Sequence, residues 1–83
     1  MLHRYWFSFS KTESPCILNT GCGVTAFSID DAKKILEADL FPVYGNRQTV
    51  EITEDIDISK IEDGHIIGNM KPPIFRGIWF PLL

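Results

Sequence analysis

The sequence predicts an α+β fold: a small antiparallel sheet of three to four strands, at about 3–10, 49–58, 65–67 and 74–80, with one amphipathic helix at about 29–39 packed on one face. Three observations predict it. Aromatic residues alternate near the N-terminus, a capped apolar stripe at helical spacing follows Ser28, and a second alternating run spans Thr49 to Ile58.

From His3 to Ser10, Tyr5, Phe7 and Phe9 alternate with Trp6, Ser8 and Ser10, the period of a strand with one buried face. The Tyr/Phe side is the expected core side, and Trp6 is the one bulky residue opposite. Residues 11–27 lack regular periodicity and carry Pro15, Gly21 and Gly23, so they read as a long loop. Val24 to Phe27 is the one extended stretch within it.

The helix is the clearest local signal. Ser28 can cap the amides that follow, Asp31 completes an approximate capping box, and Asp30 and Asp31 suit the positive end of the helix dipole. Ile29, Ala32, Ile35, Leu36 and Leu40 share one side, with Asp39 intruding on it. Phe41-Pro42 predicts an end near Ala38 to Leu40, since proline disfavours a helical residue before it.

Gly45-Asn46 marks a turn. In the Thr49–Ile58 strand, Val50, Ile52, Ile56 and Ile58 alternate with Glu51, Thr53, Asp55 and Asp57. His65 to Ile67 reads as a short strand. The last strand, Ile74 to Phe80, is apolar on both sides, with Phe75 and Trp79 on one and Ile74, Ile78 and Phe80 on the other. That pattern predicts a central strand, or one whose outer face meets a partner.

Eighty-three residues predict a single domain, and a hydrophobic share of 45 % with 12 % aromatics predicts a packed core. A net charge of −3 and scattered cations argue against direct nucleic-acid binding, which needs a basic stripe to displace counterions from phosphates. The longest nearly apolar stretch, Ile78 to Leu83, is far too short to span a membrane. With no signal-peptide pattern and only two cysteines, a reduced cytoplasmic setting is expected.

Candidate sites follow from residues that break the apolar pattern. Glu54 and Arg76 each interrupt an apolar strand face, which predicts that their strands are neighbours and that the two form a cross-strand pair. Cys22 lies between glycines in Asn19-Thr20-Gly21-Cys22-Gly23 and is expected to be accessible, although no cation lies near it in sequence to lower its pKa. The same glycines could cradle a phosphate, but the Lys-Ser/Thr ending of a P-loop is missing. Cys16, Cys22, His3 and His65 lack zinc-ligand spacing, so neither metal nor cofactor is expected.

Glu51 to Asp63 holds six acids and one lysine and reads as a docking face for a basic protein or as a solvated strand that resists aggregation. Arg76, Trp79 and Phe80 are residue types that dominate binding hot spots, and the chain closes on Phe80-Pro81-Leu82-Leu83. The expected function is a non-enzymatic protein-interaction module of inhibitor, immunity or regulatory type. It would bind a protein partner, or a second copy as a homodimer, through Glu54, Asp55, Asp57, Arg76, Trp79 and Phe80. The alternative is a small enzyme or ligand binder using the 11–27 loop with Cys22, His65 or Arg76.

Overall fold

A computed structural model describes residues 1–13, 16–61 and 64–82, with the side chains of Lys60 and His65 outside the described set. Among the described residues, four strands form one antiparallel sheet: β1 (His3–Phe9), β2 (Cys22–Ala26), β3 (Thr49–Glu54) and β4 (Gly77–Phe80), in the order β3-β1-β2-β4. A single sixteen-residue helix packs on one face, the expected α+β arrangement.

Tyr5, Phe7 and Phe9 turn to the helix side with Cys22, Val24, Ala26 and Ile78, and Ala32, Ile35, Leu36 and Leu40 of the helix close over them. The alternation in β1 is therefore the division between two layers. On the opposite face, Trp6, Trp79 and Phe80 gather with Ile56, Ile58, Ile61, Ile66 and Met70. Trp6 stacks on Phe80 at 5.7 Å between ring centroids and lies tilted against Trp79 at 5.8 Å. Such ring pairs add roughly 0.5–1.5 kcal/mol each beyond burial. The sheet thus has apolar cover on both faces.

The helix runs further than its sequence predicts. It is α-helical over Ile29–Ile35, widens to a π-helix over Leu36–Leu40, and resumes over Phe41–Tyr44. Pro42 has no amide to give, and the widened turn absorbs that loss: the Phe41 amide bonds back to the Leu36 carbonyl, five residues away. The extra residue in that turn also shifts the phase, so Leu36 and Leu40 stay buried while Asp39 swings out to solvent.

The described part of residues 11–27, which leaves out 14 and 15, is more ordered than a loop. A 3-10 turn at Ile17–Asn19 drives Leu18 fully into the core, and β2 follows as an inner strand between β1 and β4. Arg47 fastens this connection by donating to the Ser10 carbonyl at 3.1 Å and to Asn19 Oδ1 at 3.2 Å. β2 escaped the sequence pattern because all five of its residues are buried, which removes the alternation that marks a strand.

Three further expectations are corrected. Residues 65–67 belong to a helical turn, Gly64–Ile67, closed by the Gly68 amide on the Gly64 carbonyl at 2.9 Å. β3 stops at Glu54, because Asp55 takes a left-handed conformation (φ 51°) that sends Ile56 and Ile58 to the opposite face from Ile52. The last strand starts at Gly77, and its register on β2 slips between Gly23 and Val24. That slip lets the consecutive residues Trp79 and Phe80 join one cluster, while Ile78 joins the other.

Candidate interaction surface

β1 and β2 separate β3 from β4, so the expected Glu54–Arg76 pair does not form. Arg76 instead meets the start of the helix. Its Nε donates to Asp31 Oδ2 at 2.9 Å and its Nη2 donates to Asp31 Oδ1, a forked ion pair. Asp31 Oδ2 also accepts the Phe27 amide at 3.0 Å. The Arg76 hydrogen bonds first, and then the Phe27 amide, hold the Asp31 carboxyl down at about 2.

Two of the residue types expected at a hot spot are unavailable to a partner. Trp79 is 1 % exposed and Phe80 is fully buried. Trp79 lies against Gly23, and Trp6 lies against Gly21, where an added Cβ would stand 2.7 Å from the indole. The glycines serve this close approach of rings to backbone and do not form a phosphate cradle. Trp79 Nε1 is buried without a hydrogen-bond acceptor among the described residues.

Cys22 is likewise inside the core, and burial pushes its thiol well above the ordinary range, the reverse of a reactive cysteine. It is not accessible, and neither it nor Cys16 is in a disulfide. The side chain of His65 lies outside the described residues. No group of three or more His, Cys, Asp and Glu among the described residues is arranged to hold a metal. No helix among them is long and apolar enough to cross a membrane.

The acidic strand, in contrast, presents most of its residues, with Thr49 and Ile52 half-buried. β3 is a terminal strand, and among the described residues Thr49–Glu54 hydrogen-bond to β1 and to no other element. The opposite edge is partly closed, since the Lys71 amide bonds to the Trp79 carbonyl at 2.8 Å. Along β3, Glu51, Thr53 and Glu54 are exposed, and Val50 is 69 % exposed where the register on β1 slips opposite Ser8 and Phe9. Glu51 and Glu54 have no ion pair among the described residues.

Past the end of β3, Asp55 bonds to His3 Nδ1 at 2.7 Å, and Asp57 accepts the amide of Ser59 at 3.0 Å and its hydroxyl at 2.6 Å. These two acids border a shallow cleft of about 440 Å³ floored by Ile56, Ile58 and Pro73, with Arg4 on its rim. Glu54 stands opposite Tyr5 in the β1 register. Burial first, and then the Glu54 and Asp55 charges, raise the Tyr5 phenol above its usual pKa. Glu62 and Asp63, the last acids of the segment, lie outside the described residues.

No protein-family model matches the chain, and no curated protein or solved structure matches it significantly.

Proposed function

We propose that the chain is a non-enzymatic protein-interaction module that receives an extended, basic segment of a partner protein along β3. The observation that carries this reading is the edge of β3, bonded on one side only and lined by the unpaired carboxylates Glu51 and Glu54. An open strand edge offers main-chain donors and acceptors to an added strand, and side chains at alternate positions select its sequence. Glu51 and Glu54 are three residues apart and face opposite sides of the sheet, so lysines or arginines three residues apart on the added strand would supply that selection, one on each face.

The charge also favours a foreign partner over a second copy. Two β3 strands paired with each other would crowd glutamates from both copies along one short ladder, and like charges across a ladder are destabilising. A basic partner turns the same charges into attraction. The acids then have two uses, since they also discourage self-association at an edge that would otherwise aggregate.

The test uses a capped Lys/Val peptide with two lysines three residues apart, the spacing that sets one lysine opposite Glu51 and one opposite Glu54 on the two faces of the sheet, titrated into the protein by calorimetry. Saturable binding is expected, weakening by about tenfold in the Glu51→Lys, Glu54→Lys variant, because each cross-strand charge pair contributes up to about 1 kcal/mol. A matching peptide with Glu in place of Lys should bind the variant better than the original protein. Equal binding of both peptides to both proteins would remove the reading.

A further inference from the structure

On the other side of the molecule, an open cleft of about 520 Å³ lies between the helix and the segment leading into β4, with Asp39, Lys71, Pro72, Phe75, Arg76 and Ile78 around it. We propose that this cleft binds a free α-amino acid with an aromatic or large apolar side chain. The proposal concerns a different surface from β3 and stands independently of the docking reading.

The chemistry of the lining points to that ligand class. Arg76 uses Nε and Nη2 on Asp31, which fixes the plane of its guanidinium and leaves Nη1 without a partner among the described residues. An arginine held on one edge by a carboxylate is pre-organised to receive a second carboxylate on the other. Lys71 adds a second cation to the same cleft. Asp39, carried out to the surface by the π-helical turn, supplies one anion, which suits an ammonium group.

Both signs of charge within one small cleft favour a zwitterion over a simple anion or a simple amine. The rest of the lining is largely apolar: Phe75 is 67 % exposed, Pro72 is exposed as well, and Ile78 adds what little of it the core leaves open. A ligand whose carboxylate and ammonium share one carbon, with an apolar body attached, matches all three features. Pockets of this kind bind through a few convergent polar groups and an apolar wall.

The experiment is an amide NMR titration of ¹⁵N-labelled protein with L-phenylalanine, alongside 3-phenylpropanoate and phenethylamine as probes lacking the amine or the acid. Saturable shifts are expected for L-phenylalanine at Asp39, Lys71 and Phe75 to Ile78, with a Kd on the order of 1 mM, as exposed charge contacts are weak. Each partial ligand should bind about fivefold more weakly. Asp39→Asn should abolish the preference for L-phenylalanine over 3-phenylpropanoate, and Lys71→Gln should reduce the preference over phenethylamine without abolishing it, since Arg76 still meets the carboxylate. Both substitutions are at exposed positions, so the remaining spectrum should stay unchanged. Equal binding of the three compounds, shifts elsewhere, or no saturation would overturn the proposal.

Discussion

Asp31 joins three parts of the chain at one side chain. Its amide donates to Ser28 Oγ at 3.1 Å, and its carboxylate takes the Phe27 amide and the Arg76 guanidinium. The folded chain holds this carboxyl at about 2, below its ordinary 3.8. A depressed carboxyl stabilises the fold above its unfolded pKa and loses that contribution as pH falls through the folded value. Between about pH 4 and pH 2, the urea midpoint of the original protein should therefore fall more steeply than that of Asp31→Asn, and parallel slopes would contradict the assignment. Cys22 gives a second test at this scale. Cys16 is only partly buried, so a thiol reagent should modify it under native conditions, while Cys22 reacts only when the sheet opens. Fast modification of both would place Cys22 outside the core.

Among the elements, the contact of β2 with β4 is the most exacting. A Cβ at Gly23 would press into the six-membered ring of Trp79, which is itself locked against Trp6. Gly23→Ala should cost about 1–3 kcal/mol, as overpacked cores do, and lower Tm by at least roughly 4 °C per kcal/mol. An unchanged Tm would mean that the indole has room to move. This element also marks the limit of what the sequence discloses. β1 and the helix start at Ser28 were legible because their large apolar residues recur at strand and helix period. β3 was legible as a strand from its sequence alternation, although its burial does not follow that period and Val50 is 69 % exposed. β2 hid by being buried throughout, and the turn at Gly64–Ile67 was too short to show a period. The helix end was misplaced because Pro42 can follow a π turn without ending the helix.

At the scale of the molecule, the strand order decides which charges can work together. It places Glu54 and Arg76 at opposite sides of the sheet, a separation that alternation alone could not reveal, because period-two patterns fix faces and not neighbours. The acidic strand was legible as an exposed face from its residues, while its place as a terminal strand came only from the fold. Trp79 and Phe80 read as hot-spot residues, but the register slip on β2 takes both inside. What remains presented is the β3 edge with its carboxylates on one side and the cleft beside Arg76 on the other. Amide hydrogen exchange measured with and without the Lys/Val peptide tests the docking edge most directly. The β3 amides not bonded to β1 should slow on peptide addition, with the effect fading as salt screens Glu51 and Glu54. Protection centred on any other element, or none along Thr49–Glu54 at saturating peptide, would contradict the account.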